Sequence, residues 1–156
     1  MSRNRFSLVF LSLLVGCATS SMMTPRENTR AAIEAYVNHA ASVVAKNGPS
    51  CDTFKQPKWM AGDYYIFVIG PDSRLVCHPN AQIVGRLQSE IIDANGMKVG
   101  DALGAQASGA SGHGWVSYVW PRPGQTTPQP KSTYVTRVTG PDGQKYVVGG
   151  GGYNLE

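Results

Sequence analysis

Residues 64–79 read YYIFVIGPDSRLVCHP, and this stretch decides the fold. Tyr64, Tyr65, Ile66, Phe67, Val68 and Ile69 are all aromatic or β-branched, with no polar residue alternating among them. A run of that kind suits an interior strand covered on both faces. Gly70-Pro71-Asp72-Ser73 supplies turn residues, and Arg74-Leu75-Val76-Cys77-His78 returns as a second strand stopped by Pro79. A strand buried on both sides requires a layer of structure above it and another below.

The chain upstream supplies one layer. Ile33, Tyr36, Val37, Ala40 and Val44 recur at helical spacing and form one apolar face. Thr24 as cap, Pro25 in the first turn and Glu27 completing a capping box predict the start, and Asn47-Gly48-Pro49 the end. The expected helix of about 23 residues is long for a small domain. His39 lies beside its apolar face as a boundary residue, and Phe54 and Trp59 are expected core anchors in the loop-like stretch 49–62. Downstream, residues 115–120 (WVSYVW), 131–139 and 145–148 read as three more strands, the last two joined by Gly140-Pro141-Asp142-Gly143. Between the hairpins lie a turn at Asp93-Ala94-Asn95-Gly96 and a short alanine-rich helix at 101–108. Residues 121–130 hold four of the chain's ten prolines and are expected to be an extended loop. One long helix and five strands describe an α+β domain with a mainly antiparallel sheet.

The N-terminus reads as an export signal. Arg3 and Arg5 precede an apolar run at residues 6–15 (FSLVFLSLLV), half the length of the roughly 20 residues that span a membrane. Leu14-Val15-Gly16-Cys17 closes it in the pattern of a bacterial lipoprotein signal, which implies cleavage before Cys17 and lipid on its thiol. An ordinary secretory signal with an incidental cysteine is the other reading. The expected division is a signal peptide at 1–16, a tether at 17–23 and one domain at 24–156. Ala18, rather than an aspartate, after the cysteine points to the outer membrane in a Gram-negative cell. Removing 1–16 takes two of 14 Lys and Arg and none of 10 Asp and Glu, leaving 12 against 10. That balance, with no basic cluster, offers nothing to nucleic acid. Cys51 and Cys77 remain; an even pair in an exported chain is expected to form a disulfide, two separate buried thiols being the alternative.

No G-x-S-x-G elbow, phosphate loop or H-E-x-x-H motif occurs, and His39, His78 and His113 have no ligand-like spacing. Cys77 and His78 are neighbours on a strand, so they point to opposite faces and cannot form a dyad. Asp93 and Asp101 flank a glycine-bearing turn but lack the later ligands of a calcium loop. No catalytic, metal or cofactor site is therefore expected. What stands out is residues 113–134. Val116, Tyr118 and Trp120 share one face of a strand; Ser132 and Tyr134 share a face of the next, which Lys131 opens. A cation beside phenol and indole donors is what a small carboxylate needs to leave water. Plain core aromatics and a solvated Lys131 fit the same residues.

The order of motifs resembles a single Cache domain of the type 2 subgroup, a PAS-like extracytoplasmic sensor module of bacteria. The matching pieces are residues 63–68 (DYYIFV), 71–79 (PDSRLVCHP), Val84-Gly85-Arg86, Asp93-Ala94-Asn95-Gly96, 112–121 (GHGWVSYVWP), 130–135 (PKSTYV) and 148–153 (VGGGGY). The resemblance implies a long N-terminal helix packed on a five-stranded antiparallel sheet, with a ligand pocket on the other face. It implies a receptor for acids of the acetate, propionate, pyruvate and lactate class, and carries His78, Tyr118, Trp120, Lys131 and Tyr134 over as pocket residues. Such domains commonly sit between two membrane helices that lead to an output. A chain anchored by Cys17 and ending at Glu156 is expected to act through a partner, such as a sensor kinase, chemoreceptor or transporter. The rivals are a structural or adaptor lipoprotein that kept the fold without a ligand, and a hydrolase. Ser73 stands where the family's turn has glycine, and Cys77 lies just before His78.

Overall fold

The computed structural model describes residues 22–155. The expected signal peptide, Cys17 and most of the tether lie outside them. Helix α1 spans Arg30–Asn47, a short helix α2 Cys51–Phe54, and strands β1 and β2 Phe67–Ile69 and Leu75–Cys77. Helix α3 (Val99–Ser108) precedes strands β3 (His113–Pro121), β4 (Pro128–Thr139) and β5 (Lys145–Tyr153). The sheet runs β2-β1-β5-β4-β3, with every neighbouring pair antiparallel.

This order explains the unbroken apolar run. β1 lies inside the sheet between β2 and β5, and its side chains alternate between two cores. Ile66 and Val68 join Ile33, Tyr36, Val37, Ala40 and Val44 of α1. Tyr65, Phe67 and Ile69 face the opposite way, toward Val99 and Leu103 of α3. The chain leaves β2 at one sheet edge and must reach β3 at the other. Residues 78–112 make that crossing over the second face, and so roof the space that becomes the site. Both expected anchors are in the first core: Phe54 and Trp59 are buried, and the Tyr36 phenol donates to the Trp59 carbonyl.

Three boundaries differ from expectation. Thr29, not Thr24, caps α1, its hydroxyl accepting from the Ala32 N–H at 3.2 Å. The preceding segment is held extended by the rest of the fold: Met23 N–H donates to the Lys58 carbonyl, and the Asn28 amide to that of Tyr153. Local capping signals at 24–27 lose to those long-range bonds. Residues 121–130 are also not wholly a loop, because β3 runs to Pro121 and β4 starts at Pro128. Their prolines are tolerated since β3 is an edge strand and the paired end of β4 projects past the last β5 pair, Lys131 with Tyr153. Finally, β5 extends through Gly149–Gly152 in the sheet interior. A Cβ at Gly149 would meet the Phe67 ring, and one at Gly150 would crowd Val37 and Ile66, so both faces use the missing side chains for close approach.

Cys51 and Cys77 are joined, tying β2 to α2 on the α1 side of the sheet. Closing a loop of about 27 residues contributes roughly 3–4 kcal/mol in the chain-entropy account. The two Gly-Pro-Asp turns are built alike. In each, the fourth residue's N–H returns to the glycine carbonyl at 3.0 Å, and the aspartate accepts the N–H two residues on. Gly143 has φ 76° and Ser73 φ 61°, the left-handed region. Only Ser73 carries a Cβ there, at a cost of roughly 1 kcal/mol or more. Ser73→Gly is therefore expected to stabilise the protein by about 1 kcal/mol in urea unfolding, while Gly143→Ser costs a similar amount. Equal midpoints for Ser73→Gly and wild type would contradict this account.

Candidate ligand pocket

The roofed face of the sheet holds a small cavity of about 30 Å³, room for about two waters. Tyr65, His78, Tyr118 and Trp120 form its polar and aromatic side, while Ile69, Leu75, Val99 and Leu103 close the apolar end. Tyr65, His78, Ile83 and Trp120 also line an outer cleft of about 640 Å³, rimmed by Asp93, Arg122 and the proline-containing loop before β4. The cavity therefore opens toward solvent past one aromatic wall.

Strand parity brings the polar groups together. On β4, Lys131, Thr133 and Val135 point to the roofed face, with Tyr118 of β3 and Tyr153 of β5 opposite Lys131. Lys131 is 2% exposed. Its ammonium donates to the Tyr65 phenol at 2.6 Å and lies over the Tyr65 and Tyr153 rings, 3.9 and 4.9 Å from their centroids. No carboxylate pairs with it among the described residues. Burial alone holds its pKa well below the ordinary lysine value. Burial likewise pushes the Tyr65 and Tyr118 phenols up, and Tyr153 up to about 12, so all three are neutral donors at physiological pH.

His78 stands edge-on to Tyr65, with ring centroids 5.1 Å apart, and to Trp120 at 6.5 Å. Its Nδ1 accepts the Asn80 N–H at 3.0 Å, which leaves the proton of the neutral ring on Nε2. Burial, with the Lys131 charge adding to it, pulls its pKa down to about 3. Tyr118 and Thr133 share a hydroxyl hydrogen bond of 2.8 Å. Asp93 is engaged by the backbone. Desolvation would raise its pKa, but N–H donation from Val119, Met97 and Asn95 outweighs that and holds it below the usual value.

Of the five residues expected from sequence, three line the cavity: His78, Tyr118 and Trp120. Lys131 lies one layer behind, its charge reaching the cavity through Tyr65. Tyr134 does not join them. It occupies the opposite face of β4, packed in the α1 core with Trp115 at 5.5 Å and His113 at 5.7 Å between ring centroids. Lys131 and Tyr134 are three residues apart, and an odd separation on a strand places side chains on opposite faces. Tyr65 and Tyr153 were not anticipated. Parity with Phe67 pointed to Tyr65; Tyr153 required knowing that β5 continues through four glycines. Cys77 and His78 do face opposite sides, one bridged toward α2 and the other in the pocket.

Comparison with known proteins follows this geometry. Residues 26–154 match the family described as Single Cache domain 2. The chain is similar to the periplasmic sensor domain of a chemotaxis protein, with 32% identity, 80% of this chain and 89% of the other covered, and a TM-score of 0.56. It is also similar to a Cache chemosensory domain described for its carboxylic acid recognition, with 26% identity, 78% and 73% covered, and a TM-score of 0.54. No curated protein matches the sequence.

The depressed His78 pKa makes stability depend on pH. The unfolded chain takes up a proton near 6.5, the folded one only near 3, so stability is full above about 6.5 and falls as pH drops toward 3. From pH 7 to 5 this one residue is expected to remove about 2 kcal/mol. Urea unfolding of His78→Gln should show a pH slope shallower by that amount. Parallel slopes would mean the imidazole is not held neutral.

Proposed function

The chain belongs to the single Cache domain 2 family of sensory modules, and from that premise we propose that it is an extracytoplasmic receptor for a small organic carboxylate of the acetate, propionate, pyruvate and lactate class. One observation carries the reading: a lysine buried to 2% exposure, with no acid paired to it among the described residues, behind a cavity lined by neutral donors. An uncompensated ammonium away from water costs several kcal/mol, and an incoming carboxylate offsets that cost. The neighbour described for carboxylic acid recognition supports the same ligand chemistry.

Each group then has a role. Tyr65 accepts from Lys131 and hydrogen-bonds Tyr153, and so holds the lysine directly behind the cavity. The His78 Nε2–H and the Tyr118 phenol are the donors, Trp120 is the wall toward the cleft, and the aliphatic end takes a short carbon chain. The small cavity favours the shortest acids of the class. Tyr134 has no part in this site. Anchorage through lipid on Cys17 sets the module at the envelope, and its output passes to a sensor kinase, chemoreceptor or transporter. No helix of the described residues is long and apolar enough to cross a membrane.

Calorimetric titration of the purified protein with acetate, propionate, pyruvate and lactate tests the reading. Saturable binding of at least one is expected. Lys131→Met should weaken it by about 1.5–3 kcal/mol, or tenfold to more than a hundredfold. The same substitution should raise the ligand-free melting temperature at pH 6, because it replaces a buried basic group that has no acid partner with an apolar side chain of similar volume. Folded protein that binds none of the four acids would leave the adaptor reading standing instead.

A further inference from the structure

From the surroundings of Lys131 we infer that the site has a second ligand, a proton, which Lys131 Nζ takes up together with the carboxylate. The inference rests on the carboxylate reading above. It goes further by naming the bound species as the acid and its proton rather than the anion alone.

The charge inventory around the ammonium carries the argument. From the segment entering β1 it meets Tyr65, from β5 Tyr153, and from β3 Tyr118, its cross-strand partner. His78 enters from the end of β2, against Tyr65. All four side chains are neutral in the empty site. The nearby charged groups are engaged elsewhere: Arg122 lies over the Tyr153 ring, 4.7 Å from its centroid, and pairs with Asp63. Asp93 is held by three backbone N–H groups. Among the described residues, an ammonium here is therefore stabilised only by one phenol oxygen and two aromatic faces.

Burial under those conditions favours the uncharged amine, and lysines buried this way titrate several units low. A carboxylate arriving in the cavity supplies the missing negative charge and raises the proton affinity of Nζ. One proton then moves from solvent to Nζ as the anion binds, and the complex gains no net charge. No covalent bond forms or breaks apart from that N–H. Between the Nζ pKa of the free protein and that of the complex, affinity for the anion falls tenfold with each pH unit, so over that range the module reads the product of acid anion and proton concentrations.

Titration with acetate or propionate at pH 8, in two buffers of different ionisation enthalpy, counts the protons. The expected result is an uptake approaching one per carboxylate, with Kd weakening about tenfold between pH 8 and 9. His78→Gln separates the two basic groups. Uptake that persists in this variant leaves Lys131 as the acceptor, while uptake that disappears moves the proton to His78 and overturns the assignment. Binding without proton uptake in wild type overturns the inference but leaves the carboxylate reading intact. A ligand-free measurement stands apart from both: the 13Cε chemical shift of Lys131 should titrate well below the ordinary value of about 10.4. A normal midpoint there overturns the proposal whatever binds.

Discussion

The architecture depends on the two-sided burial of residues 65–69. Because side chains on a strand alternate, Ile66 and Val68 seat α1 while Tyr65, Phe67 and Ile69 seat the roof that ends in α3. Shifting the register of this strand by one residue would send its phenol into the helix core and its aliphatic residues into the pocket. The pocket and the main core are thus two outcomes of one constraint, and neither forms without the other.

That constraint also explains where small residues and the cross-link fall. β5 lies at the sheet centre, pressed by Phe67 from one face and by α1 from the other, and four consecutive glycines give both neighbours room. The bridge from Cys77 lies on the α1 side, one residue before His78 turns into the pocket. Covalent tethering and the cavity wall therefore meet at the end of the short edge strand β2. The disulfide holds its backbone, which places the imidazole against Tyr65 and Trp120.

Electrostatically the two faces contrast. The charges near α1 are solvated or paired at the surface, as where Trp115 donates to Glu34 at 2.7 Å beneath the Arg30 guanidinium. The roofed face holds one lysine and several phenols with high pKa values. A buried lysine without an acid partner among the described residues opposes folding, and residues that act against stability in this way are characteristic of binding sites.

Much of this was legible in the chain itself. The doubly buried run, the apolar face from Ile33 to Val44, the paired Gly-Pro-Asp turns and the two core anchors all depend on local pattern, which periodicity and turn chemistry report directly. Parity also set Tyr118 and Trp120 on one face of a strand, while His78 entered only through the resemblance. The cap at Thr29 was decided elsewhere, by bonds from Met23 and Asn28 to residues far along the chain. Tertiary structure alone gathered Tyr65, Tyr153 and Lys131, which lie on three neighbouring parts of the sheet and meet only when strand order and register are set. Strand parity, legible in the chain itself, separates Tyr134 from Lys131, although the resemblance had grouped them. Sequence determines which face each side chain of a strand takes relative to its neighbours. Which strands lie side by side, and what roofs each face, is decided only by the packed whole, because those contacts join residues that no local pattern connects.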